Sequence, residues 1–276
     1  MPPKLILVEG INGSGKSTYV ESLKQLYKNN RVPVILYRNG KPHPADMTRQ
    51  ALLNENEYID FLNYCISIWK GSKKTISIEE LISRIEMQVI REAIGIVLAY
   101  TKIDFPESSF QAAYEIVRNK ELYDGFSTFD IFADIHKKRW RMFSQNNCMD
   151  NAIHIFEGVL MQFPLMELIG FYGMGKQECL IYIQQLLDTS ISMNPEIHYL
   201  DVPDVRATIS YVAEERISAN QSKWIDSYVI WFEHTYYSKI NNIGGFDGVI
   251  QFCHKLKDIE DYILAHLDIP TRIIHR

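Results

Sequence analysis

GINGSGKST, residues 10–18, decides the reading of this chain. Its spacing is Gly-x-x-x-x-Gly-Lys-Ser, the pattern of a phosphate-binding loop. Gly10, Gly13 and Gly15 let the backbone curl tightly enough to aim its N–H groups at an anion. Asn12, Ser14 and Thr18 complete the stretch expected to line the nucleotide. Lys16 reaches the outer phosphates as a point charge, and Ser17 offers its hydroxyl to Mg2+. The flanks agree. KLILVE (4–9) is a short apolar run of strand type, and residues 16–28 carry Val20, Leu23, Leu26 and Tyr27 at helical spacing. Strand, glycine loop and helix thus follow in the order that turns a helix N-terminus toward phosphates. ATP and Mg2+ are the expected ligands.

Working outward, RVPVILY (31–37) reads as a second strand, and the polar Gly/Pro loop RNGKPHPAD (38–46) follows it. Ligands bind beyond the carboxyl ends of parallel strands, so that loop is a candidate substrate wall. Residues 47–147 read as a helical insertion, with helices expected over 55–68, 77–98, 109–120 and 128–145. AIHIFEG (152–158) is a buried strand ending in an acid, followed by a helix near 176–192. EIHYLDV (196–202) is another buried strand. Pro203 opens the next helix from within its first turn. Helices are expected over 224–240 and 247–266, and TRIIH (271–275) is a last short strand. Strands alternating with helices predict an α/β fold, one parallel sheet with helices on both faces. The whole chain reads as a single domain with the helical insertion and a lid near 206–224.

Composition narrows the function classes. The 276 residues carry a net charge of −5 with no Lys/Arg block, which argues against a nucleic-acid duplex as partner. Cys65, Cys148, Cys179 and Cys253 are far apart and lack metal-ligand spacing, as isolated reduced thiols do. No apolar run approaches membrane-spanning length, and the first strand leaves no room ahead of it for a leader. The expected setting is cytoplasmic.

Several side chains suit phosphoryl transfer. Glu157 ends an apolar strand, where an acid holds Mg2+ directly or through water; a strand-end glutamate facing solvent has the same pattern. Glu9 ends the first strand and either orients the loop or a water, or serves as a structural acceptor. Arg206 and Arg216 lie on the helix after the fourth strand. They are candidates to gather around the moving phosphoryl, or members of a solvated helix face. Arg216 precedes a polar stretch ending at Lys223 and Trp224, as a lid requires. Arg38, His43, Asp46 and Arg49 cluster after the second strand. Asp46 is the candidate to take the acceptor's proton, and it equally suits the N-cap of a following helix. In the insertion, His136, Arg139, Trp140 and Arg141 cluster; Arg and Trp there suit packing on a flat ligand, or a helix that packs Trp140 into the core. IVLAYTKID (96–104) imitates a guanine-reading Asn-Lys-x-Asp box, but Thr101 stands in place of Asn. No Asp has Gly three residues later, which excludes a GTPase switch.

LVEGINGSGKST (7–18) and YLDVPDVRATISYVAEER (199–216) resemble the P-loop kinase superfamily, in particular its thymidylate-kinase-like and deoxynucleoside-kinase-like group. HPADMTRQALLNENEY (43–58), KRWRMF (138–143) and IHIFEGVLMQFPL (153–165) resemble bacterial proteins described as kinase-like P-loop proteins. The resemblance implies a kinase-type fold and ATP use. Two departures leave the acceptor open. Asn12 stands where thymidylate kinases carry an acid. Glu157-Gly158-Val159 replaces the group's Asp-Arg-Tyr or Glu-Arg-Ser. The expectation is an ATP-dependent phosphotransferase acting on a small hydroxylated molecule, with a homodimer as a further state to test. A regulatory nucleotide-binding protein with slow hydrolysis is the alternative.

Overall fold

The computed structural model describes residues 3–38, 40–41, 43–216 and 223–276, and it divides into two compact units. The first comprises Met1–Asp46 and Ile135–Arg276, and the second is Met47–Asp134. The elements, in chain order, are β1 (Leu5–Glu9), α1 (Lys16–Asn29), β2 (Val34–Tyr37), β3 (Ala51–Leu53), α2 (Glu55–Gly71), α3 (Ile78–Glu86), β4 (Val89–Glu92), β5 (Gly95–Leu98) and α4 (Tyr114–Val117). They continue with α5 (Phe129–Asn147), β6 (Ile153–Glu157), α6 (Gln162–Gly170), α7 (Lys176–Ser190), β7 (Pro195–Asp201) and α8 (Val205–Glu215). Last come α9 (Trp224–His234), α10 (Tyr236–Asn241), α11 (Gly245–His266) and β8 (Thr271–His275). The division between the units falls inside α5.

The first unit is α/β. Its five-stranded sheet has the order β2-β6-β1-β7-β8, and every pairing is parallel. Alternation along the strands explains the layers. Ile6 and Val8 of β1, with Ile153 and Ile155 of β6 and Leu200 of β7, turn to one face and meet Val20 and Leu23 of α1. Phe156 turns to the other face, where its ring lies 5.3 Å from that of Trp140 and 5.0 Å from that of Phe143, both on α5. Tyr199 of β7 turns the same way, toward Glu260 of α11. β1 is completely buried, as an apolar run at the centre of a parallel sheet should be. The chain leaves β1 for the edge strand β2 on one side and later fills β7 and β8 on the other. The carboxyl end of β1 is therefore where the sheet changes direction, and that is where the glycine loop sits.

The second unit corrects the expectation of a helical insertion without strands of its own. It holds a three-stranded antiparallel sheet, β3-β5-β4, over its own apolar core. The helix expected over 77–98 ends at Glu86, and a β-hairpin follows. Val89, Ile90, Ile94, Ile96 and Val97 crowd this stretch, and β-branched side chains favour a pleated surface over a helix. The helix expected over 109–120 is a short α-turn between two 3-10 turns. Phe110 and Ala113, three apart, both enter the core, which is the spacing a 3-10 turn presents.

Smaller corrections concern helix ends. No helix follows Asp46, so it is not an N-cap; β3 comes next. The helix after Pro203 is capped by Asp204, whose Oδ1 accepts from the Ala207 N–H at 2.9 Å, so Pro203 precedes the cap. The helix expected over 224–240 breaks at Thr235, whose Oγ1 caps α10 through the Ser238 N–H. α6 gave no amphipathic pattern because eight of its nine residues are buried. Among the described residues, no helix is long and apolar enough to cross a membrane.

Candidate functional site

The glycine loop is held between β7 and α8. Gly10 has φ +133°, and a Cβ there would lie 2.7 Å from the Leu200 carbonyl oxygen. Gly13 has φ +85°, and a Cβ there would lie 2.5 Å from Val212 Cγ2 of α8. Both positions demand glycine twice over, for backbone conformation and for space. α1 then starts at Lys16 with Gly15 as its N-cap, so no side chain satisfies its first turn. A capping Ser or Asp would occupy those N–H groups; glycine leaves them to an anion.

Lys16 is buried, and its Nζ donates to the carbonyl oxygens of Gly10 at 2.6 Å and Ile11 at 2.8 Å. Ser17 Oγ donates to Glu157 Oε1 at 2.5 Å. β6 delivers Glu157 and the first turn of α1 delivers Ser17, so the register of one strand and one helix brings them together. A hydroxyl and a carboxylate, both hard oxygens, fit Mg2+. Among the described residues no group of three His, Cys, Asp or Glu side chains is arranged to hold a metal.

On the opposite face of the sheet the site is lined by groups that the sequence reading missed, except for Glu9. Glu9 is fully buried and accepts from the Leu160 N–H at 2.8 Å and the Gln162 N–H at 3.2 Å. It thereby fixes the turn between β6 and α6. Burial pushes its carboxyl pKa up against those hydrogen bonds and the nearby Lys16 charge. Glu260 of α11 is also buried and accepts from the Tyr199 hydroxyl at 2.8 Å. Burial pushes Glu260 up, and it pushes Lys16 down. The negative charges of Glu260, Glu9 and Glu157 pull Lys16 back toward its cationic form, while Arg216 opposes them. Gln162 Nε2 donates to Asn12 Oδ1 at 2.9 Å, and the Tyr228 hydroxyl of α9, which meets Cys253 Sγ at 3.7 Å, lies near the same side chain. Asn12 therefore ties the loop to α6. Glu260 had a signal: it shares the apolar face of its helix with Leu256, Ile259 and Ile263, all buried. A carboxylate on such a face needs a partner.

The remaining candidates separate. Arg216 ends α8 with its guanidinium 5.3 Å from the Trp224 ring, and its charge reaches Lys16. Arg206 instead makes an exposed ion pair with Asp247 of α11 at 2.7 Å. Residues 217–222 of the expected lid lie outside the described residues. Asp46 is buried, and its backbone oxygen accepts from Arg139. Arg38 pairs with Glu21, His43 lies edge-on to Phe156 at 5.8 Å, and Arg49 belongs to the second unit. Trp140 is in the core with its Nε1–H donating to His136 Nε2 at 3.0 Å, so it is not a ligand platform. Ser14 is buried within the loop, and Thr18 is exposed on α1.

No protein-family model, curated protein or solved structure matches the chain.

Proposed function

We propose that the protein is an ATP-dependent phosphotransferase with a P-loop kinase-type fold, which moves the terminal phosphoryl of ATP to a hydroxyl of a small molecule. The observation that carries this reading is the Ser17–Glu157 contact of 2.5 Å beside a buried Lys16. In this reading the loop 10–18 wraps the triphosphate. Lys16 exchanges its bonds to the Gly10 and Ile11 carbonyls for phosphate oxygens. Ser17 and Glu157 hold Mg2+, which when bound supplies charge neutralisation at the phosphates. Arg216 closes over the phosphates from the end of α8. Glu9 is engaged with two backbone N–H groups, so Asp46 is assigned to orient and deprotonate the acceptor hydroxyl. Such a site works by positioning and electrostatics rather than by covalent catalysis. Four free cysteines, three of them buried, support a cytoplasmic setting.

The test is to incubate the protein with Mg·ATP and a metabolite library and to follow mass gain. One class of compound gaining about 80 Da, the mass of a phosphoryl group, supports the reading and names the acceptor. Lys16→Ala should lower that transfer by about 100-fold or more, as loss of an electrostatic stabiliser does. Unchanged transfer in this variant would sink the assignment. The second unit's separate core favours one other reading, a nucleotide-binding regulator with slow hydrolysis. Phosphate release from ATP with no acceptor present would select it.

A further inference from the structure

Arg276 stands next after β8, and its backbone N–H donates to the Asp201 carbonyl at 3.0 Å. Its side chain reaches the glycine loop. A Cβ on Gly15 would lie 3.8 Å from each of Arg276 Cζ, Nε and Nη2. The guanidinium also lies 6.0 Å from the ring of Tyr19, one helical turn beyond Gly15. That ring is fixed in turn, because the Tyr19 hydroxyl bonds His198 Nδ1 at 3.0 Å. Arg276 therefore runs along the Gly15–Tyr19 edge of α1's first turn, on the β8 side.

Beyond the Tyr19 ring, the Arg276 guanidinium is uncommitted. Among the described residues its guanidinium makes no ion pair or hydrogen bond, although the protein carries a net charge of −5. Asp201, in the strand beside β8, is already shared between Lys257 at 2.7 Å and His275 at 3.0 Å. The cation faces a helix N-terminus whose N-cap is a glycine with no capping side chain. Both features favour an anion there. Lys16, Ser17 and Glu157 mark the other side of that helix end, toward β6. A triphosphate whose outer phosphates meet Lys16, with Ser17 and Glu157 holding the accompanying Mg2+, then has its inner end on the Arg276 side.

We infer that Arg276 is a nucleotide-binding residue that holds the phosphate nearest the nucleoside, at the end of the triphosphate opposite the Ser17–Glu157 pair. The inference rests on the nucleotide-binding reading of the loop. Five N–H donors in a planar fork suit a phosphate in a way a lysine does not.

The experiment is calorimetric titration of ATP and of ADP into the wild type, Arg276→Ala, Arg276→Lys and Lys16→Ala. ATP and ADP share the inner phosphate, so Arg276→Ala should weaken both by the same factor. About tenfold is expected, the equivalent of one charge-assisted hydrogen bond. Arg276→Lys should recover part of the loss. The nucleotide-free melting temperature of Arg276→Ala should match the wild type, because the side chain is exposed and only its backbone joins the sheet. Equal affinity of Arg276→Ala and wild type for both nucleotides, with Lys16→Ala impaired, overturns the inference and leaves the loop reading intact. A loss for ATP alone also overturns it, since the contact would then be to the terminal phosphate. Absence of nucleotide binding to the wild type overturns both.

Discussion

In the first unit, the carboxyl ends of β1 and β6 bury Glu9 and Glu157 beside Lys16, and α11 adds Glu260. In the second unit, the core gathered around Phe61, Cys65, Leu81 and Phe110 is apolar, and its buried acid, Glu121, accepts from the Tyr100 hydroxyl. Burying charge costs several kcal/mol per ion unless each is paired. One region gathers four such groups within reach of a glycine loop, and the other buries Glu121 against a tyrosine hydroxyl. The difference separates two tasks. The first unit is organised to place charge, and the second to close a core.

The largest expected effect tests whether the second core stands as a cooperative unit. Phe61 is fully buried there, and Phe61→Ala should cost about 3–5 kcal/mol through lost burial and the cavity left behind. Amide exchange in α2 and α3 should accelerate accordingly, by about 100-fold or more. Equal acceleration in β1 and β6 would break the comparison, because the two cores would then open together.

A second effect belongs to the first unit and depends on pH. His136 is buried on α5; its Nε2 accepts from Trp140, so its Nδ1 carries the proton and donates to the Tyr182 hydroxyl at 2.8 Å. Burial, with Arg139 and His43 nearby, pushes its pKa down from 6.5 to about 3. The unfolded chain therefore binds a proton below pH 6.5 that the folded chain refuses, and stability from this group falls as pH falls. Between pH 6.5 and 4 the loss is about 3 kcal/mol. Glu9 and Glu260, raised by burial, act in the opposite direction, since the folded chain takes up their protons first. The measurement is thus a difference: denaturant unfolding of wild type and His136→Gln at both pH values. The stability gap between them should move toward the variant by that amount on acidification. A gap that does not change with pH would show that His136 is not held neutral.

How much of this the sequence displayed depends on how local the cause was. The loop 10–18, its two flanks and Glu157 were legible because short-range spacing encodes them. Five strands of the parallel sheet were legible for the same reason: each is an apolar run with punctuation at its ends. β4 and β5 were misread as helix because a dense apolar stretch fits either period until a partner strand chooses. α6 was invisible because it is buried all round. Glu260, Gln162, Tyr228 and Arg276 reach the loop from 100 or more residues away in sequence. Only the order of strands and the packing of α9 and α11 bring them there. Arg206 shows the converse. It lies on the right helix, and its partner Asp247 on α11 takes it.

The smallest expected effect compares two helix starts. α1 is capped by Gly15, with no side chain on its first turn. α2 of the second unit is closed by its own residues: Asn54 Oδ1 accepts from the Glu57 N–H at 2.9 Å, and Glu57 Oε2 accepts from the Asn54 N–H at 2.8 Å. Lys120 holds the same Glu57 carboxylate at 2.7 Å, and together these contacts hold its pKa below the usual value. Asn54→Ala removes one arm of this box and should cost about 1 kcal/mol, while Asn54→Asp should keep it. Thermal melts of the three proteins decide the point, with a drop of about 2–4 °C expected for the alanine variant. Should Asn54→Ala melt with the wild type, the first turn of α2 is satisfied by other means. The contrast between a helix start closed by its own residues and one left open at Gly15 would then lose its energetic content.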